Sequence, residues 1–252
     1  MATPGRLLDL VSSNSVKLSE VSILVIDEAD QMLNLGFTEE MNRILALLPA
    51  AKQNLLFSAT LSPEVRSIRE LLLRNPEIIR VEELSEDLSL IRQLGYYIDP
   101  ERKGPLLRYL LKKEDMQQVL VFVSSVKRAD NVVNKLYING MDAEALHSER
   151  SQAARTEVLN NFRNGKLRIL VATDLASRGL DIPFLPFVIN YELPRSPKDY
   201  IHRIGRTGRA ESPGTAISFI SPEDVQHFKV IQKKMGRIVD MVETFELDLR
   251  GC

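Results

Sequence analysis

The sequence has 252 residues, of which 44% are hydrophobic and 27% are charged, so it can bury at least one full core, and its length favours two domains. Lysine and arginine number 33 against 34 aspartate and glutamate, so the whole chain lacks the basic excess of many nucleic-acid-binding proteins. A single cysteine, Cys252, excludes an internal disulfide and a cysteine-based metal site, and no apolar run reaches the roughly 18 residues of a membrane span. These features predict a soluble, cytoplasmic protein with no membrane partner.

The first residues predict a turn and a short helix, and the first strand follows at residues 23–26. This unbroken apolar run predicts a strand buried on both faces of a parallel sheet. It ends in Asp27-Glu28-Ala29-Asp30, whose carboxylates cannot stay unpaired in a core and therefore lie at the carboxyl end of the strand, where parallel sheets bind ligands. A strand-terminal aspartate suits Mg²⁺ binding during nucleotide hydrolysis. In the alternative, Asp27 and Glu28 only stabilise the positive end of the following helix, and this stretch alone does not separate the two.

Helices and strands alternate up to about residue 81 and predict a parallel sheet. The expected elements are a helix over residues 37–48, a strand over 54–57, a helix opening at Ser62 and a third strand over 77–81. An acidic, aperiodic segment follows, which is typical of a linker. The predicted organisation is a first domain over residues 1–83, a linker over 84–90, a second domain over 91–244 and a short tail over 245–252.

After the linker the alternation restarts and predicts a complete, doubly wound α/β unit. The predicted strands cover residues 93–98, 118–123, 142–146, 167–172, 187–190 and 215–220. The predicted helices cover residues 105–112, 127–138, 151–163, 197–204 and 222–234.

Three more polar clusters are predicted at strand ends. Ser58-Ala59-Thr60 follows the second strand, and we expect its hydroxyls within reach of the acids, although helix capping explains them equally well. Residues 172–181 contain Gly179, which allows a close backbone approach to a ligand, and Asp181, which is suited to accept hydrogen bonds from a sugar hydroxyl.

The last cluster, His202-Arg203-Ile204-Gly205-Arg206-Thr207-Gly208-Arg209, spaces three arginines evenly with glycines between them. Arginine is always charged and binds oxyanions in a bidentate manner, and glycine permits close packing, so this pattern is suited to binding phosphates. Residues 146–209 hold eleven lysines and arginines against six acidic residues, which concentrates positive charge in a chain that is otherwise net acidic. This local excess favours a polyanionic partner.

In their order along the chain, these clusters resemble the motifs of the DEAD-box family of ATP-dependent RNA helicases. Seven motifs in register across nearly the whole chain make the resemblance specific. They are Thr3-Pro4-Gly5-Arg6, Asp27-Glu28-Ala29-Asp30, Ser58-Ala59-Thr60, Val121-Phe122-Val123-Ser124, Gln152 with Arg155, residues 172–181 and residues 202–209. The resemblance implies an α/β fold with two RecA-like parallel-sheet domains in tandem, the first incomplete and the second complete.

The resemblance also implies ATP and Mg²⁺ as cofactors. Asp27 would hold Mg²⁺ through its waters, and Glu28 would polarise the attacking water. Arg206 and Arg209 would be arginine fingers that reach from the second domain to the γ-phosphate and neutralise transition-state charge. Gly179 and Asp181 would contact the ribose side of the nucleotide. Four polar residues would link the γ-phosphate to closure of the two domains: Asp30, Ser58, Thr60 and His202.

RNA would lie across both domains, bound through its sugar-phosphate backbone and 2′-hydroxyls, so neither a sequence preference nor a DNA partner is expected. ATP binding would favour a closed state that grips RNA and bends one strand of a short duplex, and the protein would be a monomer. The implied RNA contacts are Thr3, Gly5 and Arg6 in the first domain and Ser124, Gln152, Arg155 and Thr173 in the second.

One departure from the family matters most. The family's phosphate-binding loop has the form G-x-x-x-x-G-K-[ST], whereas the only Gly-Lys pair here, Gly165-Lys166, is followed by Leu167 and leads into a strand. We therefore expect that the chain begins within the first domain. We also expect the first domain to be strained or mobile and the second to be well folded. Finally, we expect no ATPase activity from this polypeptide alone. The alternative function is a non-catalytic fragment that binds RNA or a protein partner.

Overall fold

The computed structural model describes residues 1–34, 36–58, 63–73, 75–79, 88–177, 185–208, 213–245 and 247–250. The chain divides into two compact units, Met1–Val81 and Glu82–Cys252. The expected linker over residues 84–90 follows this division, and most of it lies outside the described residues. Within the described ranges, no helix combines the length and the apolar character that crossing a membrane requires.

The first unit contains helices around a pair of strands. Its described elements are α1 (Pro4–Ser12), β1 (Ile23–Ile26), α2 (Ala29–Asn34), α3 (Thr38–Leu47), β2 (Gln53–Leu56) and α4 (Pro63–Leu72). The predicted helix over residues 37–48 and strand over 54–57 are confirmed to within one residue at each end. Strands β1 and β2 pair in parallel, with Ile26 opposite Leu56, so both strands end at the same edge.

The prediction that β1 is buried on both faces is wrong. Ile23 and Val25 are each 54% exposed, whereas Ile26 is buried on the opposite face, where it packs with Ala29 and Met41. Successive side chains of a strand point to opposite faces, so one face of β1 remains exposed unless another element covers it. An apolar run shows that a strand can be buried, but the burial itself depends on its neighbours.

The prediction of a third strand over residues 77–81 is also wrong for the three of these residues that the structure describes. Residues 77–79 form no strand, and residues 80 and 81 lie outside the described residues. Ile78 and Ile79 are 52% and 80% exposed, respectively. A β-rich run becomes a strand only by hydrogen bonding to a neighbour, and in the described part of the first unit the sheet consists of β1 and β2 alone.

The second unit alternates strands and helices around one sheet. Its strands are β3 (Ile91–Tyr97), β4 (Val119–Val123), β5 (Ala143–Leu146), β6 (Ile169–Thr173), β7 (Phe187–Asn190), β8 (Gly214–Ile220) and β9 (Asp240–Glu243). Its helices are α5 (Lys103–Lys113), α6 (Val126–Ile138), α7 (Gln152–Arg163), α8 (Asp174–Ser177), α9 (Pro197–Ile204) and α10 (Val225–Met235). The strand order is β5-β6-β4-β7-β8-β3-β9, and all neighbouring strands are parallel. All strands therefore end at one edge, the carboxyl edge, and the connecting helices return the chain to the opposite, amino edge.

Both faces of this sheet are covered. All five residues of β4 are buried, and they contribute alternately to two core clusters. One cluster includes Leu106 of α5 and Val132 of α6, and the other includes Phe162 of α7. Because a strand covered on both faces needs no polar side, β4 has a continuous apolar sequence.

All six strands predicted for the second unit are confirmed, and β7 and α9 match their predicted bounds to the residue. The sequence interpretation missed β9 and the short helices α2 and α8. Strand β9 fits beside β3 because Gly95, opposite Met241, leaves room for that side chain, and a Cβ at position 95 would collide with it. In the expected tail, Leu249 is 8% exposed and packs in the main core.

Hydrogen exchange should distinguish the two units. Amides of β4 lie in a sheet covered on both faces, so their exchange requires extensive unfolding, whereas β1 and β2 have an uncovered face. We expect β4 amides to exchange more slowly than those of β1 and β2 by about two orders of magnitude. Equal protection of the two sets, measured on the intact chain by mass spectrometry or NMR, would contradict this expectation.

Candidate functional site

The acidic stretch of the first unit lies directly after β1, and the end of β2 is bonded to it. The Phe57 amide donates to the Ile26 carbonyl at 2.8 Å, and the Ala29 amide donates to the Phe57 carbonyl at 3.1 Å. Asp27 and Glu28 are exposed between these two attachments. This edge of the first sheet therefore presents two carboxylates to solvent.

The backbone at Glu28 adopts an uncommon conformation. Its φ of 49° lies in the left-handed region, which is uncommon for residues other than glycine. The Glu28 amide donates to Asp27 Oδ1 at 2.9 Å, which ties the Asp27 carboxylate to the turn. Backbone strain of this kind is often found at functional sites, and here it falls on Glu28, the second of the two acids that the sequence singles out.

Two residues with implied coupling roles lie near these acids. Asp30 is 5% exposed in the first turn of α2, and Ser58 is half-buried just after β2. Parallel pairing of β1 and β2 brings Ser58 to the same edge as the acids. Thr60 lies outside the described residues.

The implied RNA contacts of the first unit lie at the start of α1. Thr3 occupies the N-cap position, and its carbonyl accepts a hydrogen bond from the Leu7 amide at 2.9 Å. Arg6 is exposed, and a Cβ added to Gly5 would meet nothing within 4 Å. The three residues thus form one accessible turn of helix.

The four implied RNA contacts of the second unit lie at its carboxyl edge. Thr173 ends β6 opposite Val123, and Ser124 follows Val123, so the two residues end neighbouring strands. Gln152 begins α7, which follows the edge strand β5, and Arg155 lies in the same first turn. Arg155 Nη1 donates to Gln152 Oε1 at 3.4 Å, and Arg155 Nε is buried without a hydrogen-bond partner among the described residues.

Glu192 joins this edge although the sequence interpretation did not select it. It lies two residues after β7, and its carboxylate accepts hydrogen bonds from the Ser124 amide, the Ser124 hydroxyl and Arg128 Nε. Burial raises the pKa of Glu192, but the hydrogen bonds from Ser124 and the charge of Arg128 outweigh it, so this pKa lies below its ordinary value. Its position in the sequence could have identified it, because Glu192, like Asp27, is an acid just after an apolar strand.

The arginine-rich cluster lies elsewhere, and its predicted position at a strand's carboxyl end is wrong. The Leu185 amide, ahead of β7, donates to the Arg206 carbonyl at 3.1 Å, and Thr207 forms a parallel bridge with Leu185. Arg206 therefore lies at the amino edge, because α9 runs back across the sheet after β7. His202 is exposed on α9, and Arg206 is half-buried.

The glycine at the end of this cluster packs closely, as the sequence suggested. Gly208 has a φ of 61°, and a Cβ there would lie 2.7 Å from Ile91 Cγ1 and 3.1 Å from the Leu90 carbonyl oxygen. A larger residue would therefore be both strained and crowded. Three other residues with implied roles, Gly179, Asp181 and Arg209, lie outside the described residues.

Arg203 connects the two edges, and the sequence interpretation assigned it no role of its own. It is 3% exposed, and its guanidinium donates to both Asp174 carboxylate oxygens, from Nε at 2.6 Å and from Nη2 at 2.8 Å. Its Nη1 donates to Asn190 Oδ1 at 3.1 Å and to the Glu192 carbonyl at 2.7 Å. The guanidinium also lies 4.9 Å from the centre of the Phe122 ring. Arg203 therefore fixes α9 to residues that follow β6 and β7.

Replacing Arg203 with alanine should strongly destabilise the second unit. The change removes a buried ion pair and leaves Asp174, whose side chain is 33% exposed, without this partner. We expect the free energy of unfolding to fall by about 3 kcal/mol, measured by denaturant titration. Arg195→Ala, which removes an exposed arginine just before α9, should change it by less than about 0.5 kcal/mol. Similar losses in the two variants would contradict the role assigned to Arg203.

Comparisons with known proteins match both units of the chain to helicase families. Residues 1–68 match the family model described as DEAD/DEAH box helicase, and residues 102–211 match that of the helicase conserved C-terminal domain. The ATP-dependent RNA helicase CshA of Listeria monocytogenes is 40% identical over 233 residues, which are 92% of this chain and 45% of that protein. The DEAD-box ATP-dependent RNA helicase CshA of Geobacillus kaustophilus is 37% identical over 248 residues, 98% of this chain and 53% of that protein. The chain thus spans about half the length of the curated relatives it matches.

Solved structures give the same result. S. cerevisiae Dbp5 bound to RNA and ADP BeF3 matches with a TM-score of 0.83 at 32% identity, covering 97% of this chain and 65% of that one. The E. coli DEAD-box protein SrmB, bound to regulator of ribonuclease activity A, matches with a TM-score of 0.58 at 36% identity, covering 60% of this chain and 90% of that one. The predicted fold class of tandem RecA-like α/β domains is confirmed, and the chain belongs to the DEAD-box family of RNA helicases.

Proposed function

We propose that this chain is part of an ATP-dependent RNA helicase that couples ATP binding and hydrolysis to RNA binding and local duplex unwinding. The observation that carries the proposal is the gathering of Ser124, Gln152, Arg155 and Thr173 at the carboxyl edge of the second sheet. The relatives named ATP-dependent RNA helicases, and the match to Dbp5 bound to RNA and ADP BeF3, support RNA as the partner and ATP as the cofactor.

RNA would bind along this edge through its sugar-phosphate backbone. Arg155 supports this assignment because its guanidinium lies in the first turn of α7 at the carboxyl edge and is suited to donate charged hydrogen bonds to phosphate oxygens. Thr3, Gly5 and Arg6, in the accessible first turn of α1, would add contacts from the first unit. Contacts of this kind carry no base information, so we expect neither a sequence preference nor a DNA partner.

The residues after β1 fit Mg²⁺. In nucleotide sites this ion is bound through one or two carboxylates together with waters and phosphate oxygens, so exposed Asp27 and Glu28 suffice. No cluster of three or more acids, histidines or cysteines suited to a metal occurs among the described residues. When bound, Mg²⁺ would offset the charge of the phosphate oxygens. Asp27 would hold the ion through its waters, and Glu28 would orient the attacking water and accept its proton.

The other residues would complete the nucleotide chemistry. Arg206 and Arg209 would neutralise the charge that builds on the γ-phosphate, because a guanidinium offers rigid, bidentate hydrogen bonds to oxyanions. The remaining assignments are Gly179 and Asp181 to the ribose side of the nucleotide, and Asp30, Ser58, Thr60 and His202 to coupling the γ-phosphate with closure of the domains. A single cysteine suits a reducing compartment, so we also propose a cytoplasmic location.

A second candidate function is that of a non-catalytic fragment that binds RNA or a protein. The observation that favours it is that the sequence contains no G-x-x-x-x-G-K-[ST] motif, so Asp27 and Glu28 can act only where another segment holds the phosphates of ATP. We expect this polypeptide alone to bind RNA without hydrolysing ATP. Clear RNA-stimulated ATP turnover by the purified polypeptide would exclude the second candidate and contradict that expectation.

Two variants of α7 test the proposed RNA surface. Arg155→Gln and Arg163→Gln each remove one positive charge, the first at the carboxyl edge and the second, an exposed residue, at the amino edge. R155Q should lower the affinity for single-stranded RNA about fivefold and reduce the slope of log affinity against log salt by about 0.7, whereas R163Q should do neither. Fluorescence anisotropy with a labelled RNA at several salt concentrations measures both quantities. Equal losses from the two variants would place the RNA elsewhere.

A further inference from the structure

We propose that Glu192 sets the preference for RNA over DNA at the carboxyl edge by holding the Ser124 hydroxyl as a hydrogen-bond acceptor for the ribose 2′-hydroxyl. The inference rests on the proposed function, because it requires that RNA bind at this edge. It adds a specificity-determining residue that lies outside all the motifs carrying the family resemblance.

Three donors converge on the Glu192 carboxylate. The Ser124 amide and hydroxyl donate to Oε2 at 2.8 and 2.5 Å, and Arg128 Nε donates to Oε1 at 2.9 Å. The Glu192 side chain is 19% exposed, whereas Ser124 is an exposed residue. The Glu192 carboxylate is thus largely buried, and it accepts a hydrogen bond from the hydroxyl of an exposed serine.

The direction of the hydrogen bond between Ser124 and Glu192 follows from the charge of the carboxylate. Burial raises the pKa of Glu192, but the Ser124 hydrogen bonds and Arg128 lower it further, so the pKa is below its ordinary value and Glu192 is ionised at neutral pH. An ionised carboxylate only accepts hydrogen bonds, and a serine hydroxyl has only one hydrogen. Ser124 therefore donates that hydrogen to Glu192 and can offer only its oxygen lone pairs to a ligand.

This restriction selects a chemical group on the nucleic acid. Phosphate oxygens and the ring oxygen of the sugar are acceptors, so they cannot pair with a hydroxyl whose hydrogen is already engaged. The 2′-hydroxyl of ribose is a donor on the nucleic-acid backbone, and DNA lacks it. The pair of Ser124 and Glu192 is therefore suited to detect ribose.

The backbone of Glu192 is held on both sides, which keeps the acceptor in position. Its amide donates to the Phe122 carbonyl of β4 at 3.3 Å, and its carbonyl accepts from Arg203 Nη1 of α9 at 2.7 Å. A site whose supporting groups are fixed in advance discriminates better than one that must order on binding. The hydroxyl of Ser124 thus has a defined orientation before RNA arrives.

Glu192→Gln tests the proposal with a side chain of equal size. Glutamine has only one oxygen at its tip, so it cannot accept from both Ser124 and Arg128 as Glu192 does. With its oxygen on Arg128 Nε, its NH2 group donates to Ser124 Oγ and occupies the acceptor position, so the affinity for RNA should fall while the affinity for DNA of the same sequence is retained. We expect the RNA-to-DNA affinity ratio to fall about fivefold, the effect of one hydrogen bond of ordinary net strength. RNA carrying 2′-fluoro groups, which cannot donate, should bind the unmodified protein like DNA. Glu192→Asp keeps the charge and should retain part of the preference.

A matched control and a double variant separate this role from a structural one. Glu114→Gln changes an exposed acid at the end of α5, at the amino edge, and should leave the ratio unchanged. Ser124→Ala should lower the ratio as E192Q does, and E192Q should add nothing in the S124A background, because Glu192 acts through Ser124. Thermal unfolding of each variant accompanies the binding measurements.

The outcomes distinguish this inference from the proposed function. An unchanged ratio in E192Q or in S124A, or equal losses of RNA and DNA affinity in E192Q, would overturn the role of Glu192 while leaving RNA binding intact. If E192Q unfolds, the RNA-to-DNA affinity ratios of S124A and E192D provide the test instead. If the unmodified chain binds no RNA, the proposed function fails, and this inference fails with it.

Discussion

The parallel pairing of strands is the constraint on which the rest of the second unit depends. Because all neighbouring strands are parallel, a residue that follows any strand is delivered to the carboxyl edge, whatever its distance along the chain. The register that sets Val123 opposite Thr173 makes neighbours of Thr173 and Ser124. The same geometry requires α9 to run back across the sheet, which carries Arg206 to the amino edge. The residues proposed to contact RNA and the arginine proposed to contact the nucleotide thus lie at opposite ends of the strands.

Buried charge then holds these opposite ends in a fixed relation. An unpaired guanidinium in a protein interior is destabilising by several kcal/mol, so Arg203 can be buried only because Asp174 and nearby carbonyl oxygens accept its hydrogen bonds. Asp174 follows Thr173 directly, and the carbonyl that Arg203 contacts belongs to Glu192, whose carboxylate holds Ser124. The helix that carries His202 is therefore bonded to the groups that position two of the proposed RNA contacts.

The sequence predicted what depends on local pattern and missed what depends on distant partners. The continuous apolar run of β4 and the proline-started helix α9 were placed correctly because periodicity and capping are encoded within each segment. For β1, the same apolar signal did not reveal that Ile23 and Val25 stay exposed, since burial depends on a covering element. Arg203 and Glu192 were missed because their partners lie 29 and 68 residues away, and charge pairing over such separations is visible only in the folded chain.

Cross-linking can show directly whether RNA binds along the carboxyl edge of the second sheet. Single-stranded RNA containing 4-thiouridine would be irradiated with the intact chain, and the modified peptides identified by mass spectrometry. We expect cross-links in the peptides that contain Ser124, residues 152–155 and Thr173, which follow or flank β4, β5 and β6. Cross-links concentrated instead at the amino edge, around Lys113 at the end of α5 and Arg163 at the end of α7, would contradict it.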